Sequence, residues 1–252
     1  MKYIFLKSVV KQWLIGLALI AQLVMTHAFA SESQKFINYF SNSERGDIRS
    51  IVEDMYWSGI TDARLYNMIE KEVKASYQDD SKAAQEINSW LVKALAISGN
   101  KKYLATLQDI ETNANSKKLR KHTTNAIEML NEYSVWVPIM NKGVSDLSES
   151  KRDRKRVQNM LESNNSEMIR IGAKRVYHDY TSDAALLASV EKSLLLNHSK
   201  SDDSVHVDAM AWLIKALAES LNNKYKSSLE KVAAETTNKK IRKYAEKYAN
   251  YL

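Results

Sequence analysis

Eight cations recur in two matched groups, Lys117, Lys118, Arg120 and Lys121, then Lys239, Lys240, Arg242 and Lys243. Their chemistry is electrostatic: each group can grip an anionic surface such as an acidic protein, a lipid headgroup or a polymer. Each opens a stretch with helical spacing, where a cation opposes the helix dipole by up to about 1 kcal/mol. Helix stability therefore does not explain them. The competing reading is that Arg120 and Arg242 serve the fold and the lysines solvate a helical face, the usual role of a charge run. A denser run, Lys151 to Arg156, offers a docking surface or a soluble linker, with Asp146, Glu149 and Asp153 diluting it.

Aromatic residues come next. Trp90 and Trp212, with Tyr103 and Tyr225, occupy matching places in two similar segments. Rings recurring within an apolar helical stripe are expected in the core, because each buries a large area; a stacking platform for sugars or bases is the alternative. Trp57 and Trp136 have no aromatic at the matching offset and are expected as exposed anchors, a role in which tryptophan is enriched at interfaces.

Groups suited to bond-making chemistry are isolated. His206 and Asp208 resemble a fragment of a metal or triad site, yet Ala84 and Glu86 stand opposite them in the other segment, and His178-Asp179 is equally alone. A metal or catalytic site needs several groups converging. Asp79-Asp80 and Asp202-Asp203 precede Ser81 and Ser204 at helix starts, which suits capping. There is no cysteine, glycine-rich phosphate loop, HExxH or serine elbow. The expectation is a non-enzyme without catalytic, cofactor-binding or metal-ligating residues, acting on a partner through its surface.

What must position these residues is a duplication. Trp90-Leu91-Val92-Lys93-Ala94-Leu95-Ala96 matches Trp212-Leu213-Ile214-Lys215-Ala216-Leu217-Ala218 at an offset of 122, and the match runs on to Lys117–Lys121 against Lys239–Lys243. Upstream, Asn38/Asn159, Ile48-Arg49/Ile169-Arg170 and Asp62-Ala63/Asp183-Ala184 match at 121. Two halves follow, residues 33–133 and 152–252, joined by a linker, 134–151, that contains Pro138 and Gly143.

Apolar spacing of three and four predicts six helices in each half. In the first these are Gln34–Phe40, Asp47–Trp57, Asp62–Tyr77, Ala83–Ile97, Lys101–Asn113 and Lys117–Tyr133. The second repeats them as Arg152–Glu162, Glu167–Asp179, Asp183–Leu196, Val205–Leu221, Asn223–Glu235 and Lys239–Leu252. Asp62 and Asp183 suit N-caps, and Gly99-Asn100 suits a helix stop. Six glycines and one proline in 252 residues, with 44% hydrophobic content, agree with an all-α protein large enough for a real core. The formal charge is +7, of which Lys2, Lys7 and Lys11 supply three. The mild remainder gives no reason to expect nucleic acid.

Residues 1–30 have the layout of a secretory signal: lysines before residue 12, an apolar stretch from Trp13 to Met25, and Ala28-Phe29-Ala30 before the expected cut. About 13 apolar residues fall short of the roughly 20 that span a bilayer. Cleavage after Ala30 and export, to the periplasm in a Gram-negative source, is the expectation; an inner-membrane anchor facing the periplasm is the alternative.

The second helices opening Ile48-Arg49, Leu119-Arg120, Ile169-Arg170 and Ile241-Arg242, with small residues Ala126, Ala173 and Ala245 further along, resemble the HEAT-repeat pattern. The 39 residues from Asp62 to Lys101 fit its period. The resemblance covers most of residues 34–252 and implies an α-solenoid of about six hairpins. It also implies a scaffold that binds a protein or peptide along its surface. An anionic lipid or polymer is the alternative partner, and a lyase-type enzyme of this architecture the third reading.

Overall fold

The computed structural model describes residues 32–42 and 46–252, and the expected signal segment lies outside them. The described residues are helical, without strands, in twelve helices. They are α1 (32–41), α2 (Ile48–Met55), α3 (Ala63–Ser76), α4 (Lys82–Ile97), α5 (Leu104–Asn113), α6 (Lys117–Met140), α7 (Glu149–Leu161), α8 (Ser166–Asp179), α9 (Ala184–Asn197), α10 (Ser204–Glu219), α11 (Lys226–Glu235) and α12 (Lys239–Ala249). No described helix is long and apolar enough to cross a membrane.

Helix starts are fixed by short polar side chains. The carboxylates of Asp47, Asp62, Asp183 and Asp203 accept from backbone N–H groups of the first turn, and Ser81, Asn165 and Asn238 do the same. Each satisfies donors that have no partner inside the helix. Asn100 and Asn222 cap matching 3-10 turns, Lys101–Tyr103 and Asn223–Tyr225, that lead into α5 and α11.

Two compact units result: described residues up to Val137 with Ser145–Glu149, and Pro138–Val144 with Ser150–Leu252. In the first, α4 packs on α2 and α3. Val52, Met55, Leu65, Ile69, Leu91 and Leu95 are wholly buried there, joined by Leu107 and Ile110 of α5 and Leu119 of α6. In the second, α10 is central, packed on α8, α9 and α12, while α11 lies on α12. Its core includes Val190, Leu194, Met210, Ile214, Leu217, Val232 and Ile241. Close approach of α8 to α7 requires Gly172, where a Cβ would stand 3.1 Å from the Cβ of Met160.

Helix α6 runs beyond its expected end at Tyr133 to Met140, with Pro138 inside its last turn. Its additional turns carry Tyr133, Val137 and Met140, all buried. That burial extends the helix through a segment whose Ser-Val-Trp-Val-Pro composition alone reads as a connection. Of the expected linker, residues 134–140 thus continue α6 and 149–151 open α7.

Candidate functional site

The basic clusters separate into two kinds of residue. Arg120 donates to the carbonyls of Ala114 and Asn115, and Arg242 donates to the carbonyl of Thr236 at 2.7 Å. Both guanidinium groups therefore satisfy backbone acceptors where the preceding helix ends, a structural task repeated in each half. Lys117, Lys118, Lys121, Lys239, Lys240 and Lys243 remain exposed.

Around Trp90 of α4 the first unit gathers cations from two helices. The Lys93 ammonium lies 4.1 Å from the Trp90 ring centroid, and the Arg49 guanidinium of α2 lies 6.0 Å from it. Lys93 follows Trp90 by three residues, so both side chains lie on one helical face. Burial and then Arg49 lower the pKa of Lys93, while Glu53 opposes them. Glu53 accepts from Arg49 at 2.8 Å and so neutralises part of this face. His122 of α6 has a lowered pKa, first from burial and then from Lys93, Lys118 and Lys121. Lys118 and Lys121 of the predicted cluster, like Lys93, therefore belong to the electrostatic surroundings of His122.

The second unit repeats the arrangement at Trp212 of α10. Lys215 stands 4.1 Å from the ring centroid and Lys174 of α8 stands 5.0 Å from it. Tyr177 meets Trp212 edge-on at 5.5 Å and 77°, His178 lies 6.2 Å from it, and Lys215 also lies 5.7 Å from Tyr244 of α12. Glu219 approaches the Tyr177 phenol and is the largest cause of its raised pKa. Tyr244 and Tyr248 lie nearly parallel, 6.3 Å apart.

Several expectations are corrected by these positions. Tyr103 and Tyr225 are wholly buried, but Trp90 and Trp212 are only half-buried under their lysines. A ring at the margin of an apolar stripe keeps one face for a cation. Trp57 and Trp136, expected as separate exposed anchors, are half-buried and stack on each other at 5.1 Å and 27°, beside Tyr133. Trp57 sits at φ 62, a left-handed conformation unusual for so bulky a residue. The Lys151–Arg156 run is not uniformly solvated. Arg152 and Arg156 are buried, Arg156 donates to Asn141 at 3.0 Å, and Arg154 pairs with Asp183.

The isolated polar groups are engaged elsewhere. His206 is buried, with Nδ1 3.1 Å from the Ser166 hydroxyl and Nε2 3.0 Å from the Asn197 carbonyl, while Asp208 lies 3.4 Å from Arg170. Asp79 accepts from the Ser81 N–H, and Asp202 accepts from Asn238 at 2.7 Å. No group of three His, Asp or Glu side chains converges as a metal site among the described residues.

Sequence reasoning missed Lys93 and Lys215. Their signal was present in the repeated Trp-Leu-Val-Lys and Trp-Leu-Ile-Lys, which set a lysine three residues after each tryptophan. The chain matches no family model, no curated protein and no solved structure.

Proposed function

We propose that this chain is a non-enzymatic scaffold of HEAT-like α-solenoid architecture, exported to the periplasm, which binds a protein or peptide through the Trp90 and Trp212 faces. The observation that carries this reading is the repeated tryptophan–lysine pair. The ammonium lies 4.1 Å from the ring in both halves, and each ring is only half-buried. Half-buried aromatic rings bring contact area at little entropic cost, and the ammonium groups select anionic partners. Exposed Lys118, Lys121, Lys240 and Lys243 add to the same long-range field. Engagement of His206, Asp208, Asp79 and Asp202 in structural hydrogen bonds and ion pairs supports a binding role over a catalytic one. Export rests on the lysines, apolar stretch and Ala28-Phe29-Ala30 of the first thirty residues.

Gentle cross-linking of the tagged chain in an envelope fraction tests this reading. A stoichiometric protein partner is expected, lost when Lys93 and Lys215 are both changed to Glu. Recovery of no partner, or equal recovery by the variant, would overturn it. A second reading, an anionic envelope polymer, draws support from the near-parallel Tyr244 and Tyr248 rings with Lys247 5.2 Å from Tyr248. It predicts salt-sensitive retention on such a polymer that Tyr248→Ala weakens.

A further inference from the structure

The two faces differ in charge at two places: Glu219, which approaches Tyr177, stands where the first half has Ile97 at the offset of 122, and the other difference involves the helix of Arg49 and its counterpart. At the offset of 121, Glu53 of α2 corresponds to Lys174 of α8. Glu53 pairs with Arg49 and offsets the field on Lys93. In the second half Arg170, the counterpart of Arg49, is turned onto Glu167 and Asp208. Position 174 then adds a cation where the first half has an anion. Lys174 and Lys215 both lie within 5.0 Å of one ring centroid, and neither has an ion-pair partner among the described residues. Two ammonium groups so placed are less than a Debye length of about 10 Å apart, so they repel each other while the face is empty. A carboxylate between them removes that repulsion and gains two attractions.

Ring geometry selects the class of ligand. A pyranose needs an open, flat ring face, but the Trp212 ring is attended by two ammonium groups and met edge-on by Tyr177. A carboxylate side chain reaching in from an extended backbone fits such a ring. The apolar side chains that alternate with it can rest on Tyr177 and Tyr244, both half-buried. Resting on the protein-binding reading above, we propose that the Trp212 face is the principal site for an acidic, apolar-interspersed peptide segment, its carboxylate held between Lys174 and Lys215, and that Glu53 makes the Trp90 face the weaker copy.

The test titrates the full mature chain with a blocked octapeptide of alternating Glu and Leu, reading the indole N–H resonances of Trp90 and Trp212, assigned by Trp→Phe substitutions. Saturation at Trp212 is expected at lower peptide concentration than at Trp90, with affinity falling on the order of tenfold between about 50 and about 500 mM salt. Lys174→Glu weakens the Trp212 response roughly tenfold, and Glu53→Lys strengthens the Trp90 response several-fold. The second variant adds affinity, so damage to the fold cannot imitate it. Equal midpoints at the two indoles, or midpoints that neither variant moves, would overturn the proposal. Equal binding of a Gln/Leu octapeptide would overturn it while leaving the protein-binding reading standing. If an oligogalacturonate moves the Trp212 indole and no octapeptide does, the ligand is a polysaccharide and both readings fall. Failure of every octapeptide, acidic, neutral or basic, likewise sinks both.

Discussion

The same turn is built twice and finished differently. After α4 the chain reverses at Gly99, φ 61; after α10 it reverses at Leu221, φ 51, the residue at offset 122. Over Gly99 lies the backbone of α6, so close that a Cβ there would stand 2.5 Å from the Tyr133 carbonyl oxygen. Leu221, in contrast, is 67% exposed. Left-handed backbone thus belongs to the hairpin design, while the demand for glycine comes from what packs above it. Identical local geometry tolerates leucine where the space is open.

Exchanging the two residues gives the largest expected effect. Gly99→Leu is predicted to destabilise the first unit by roughly 3–5 kcal/mol, from left-handed strain and from collision with backbone that cannot rotate away. Urea unfolding of the full chain checks this. A loss under about 1 kcal/mol would mean that the extended part of α6 does not seal this turn in solution.

Next are the capping carboxylates. Asp62 accepts from the N–H and guanidinium of Arg64 and from the Ser33 hydroxyl, and its pKa falls to about 2. Asp183 caps α9 and pairs with Arg154 of α7, which is the first cause of its lowered pKa. Ser33 and Arg154 are equivalent at 121, so both halves tie their first helix to the cap of their third, one through a hydroxyl and one through a cation. Because folded pKa values lie below unfolded ones, this stabilisation is present above the ordinary carboxylate range near pH 4 and is lost as pH falls toward about 2. Asp62→Ala or Asp183→Ala should each cost about 1–2 kcal/mol at pH 7, and the double variant should flatten the acid limb of the stability curve. Both carboxylates pair with an exposed arginine, so added salt should erode the Asp62 and Asp183 contributions alike, but only at Asp183 does it also weaken the tie between helices, which at Asp62 runs through the Ser33 hydroxyl. A Ser33→Ala loss that is as salt-sensitive as the Arg154→Ala loss would dissolve that distinction.

A third contrast concerns a buried hydroxyl. Tyr103 donates to Asn67 at 3.0 Å, whereas the buried Tyr225 hydroxyl has no partner among the described residues. The cause is one substitution: Ala188 stands where Asn67 stands in the first half. Tyr103→Phe should therefore cost about 1 kcal/mol, while Tyr225→Phe should be neutral or stabilising. Ala188→Asn offers the missing acceptor but loses some helix propensity, so the sharper measurement is its coupling to Tyr225→Phe in a double-mutant cycle, expected near 1 kcal/mol. Zero coupling would place the hydroxyl beyond the reach of the introduced amide.

Much of this was legible beforehand, for reasons that also explain the failures. Helix period, polar caps and a repeated apolar stripe are local signals, so the all-helical class and most helix positions could be read directly, and Asp62 and Asp183 stand as caps. The end of α6 could not, because its last turns are held by burial of Tyr133, Val137 and Met140. Arg152 and Arg156 looked like solvated charge because sequence does not reveal which cations fold inward. Trp90 and Trp212 looked like core, and Trp212 does pack against the core of its unit, but their half-exposed faces beneath Lys93 and Lys215 follow from the lysine three residues on. Three of the four cations in each basic cluster are exposed, while Arg120 and Arg242 turn back onto backbone carbonyls, which a charge run does not reveal.

The smallest effect is the most direct check on the difference between the turns at Gly99 and Leu221. Leu221→Gly removes left-handed strain at an exposed position, yet it also frees the unfolded chain, which offsets part of the gain. A net stabilisation of about 0.5 kcal/mol is expected from thermal and urea unfolding, with the sign more informative than the size. If Leu221→Gly destabilises instead, the leucine side chain must be making a contact in solution that outweighs its backbone strain. The two turns would then differ through what leucine touches, and the open space above it would no longer explain why it is tolerated.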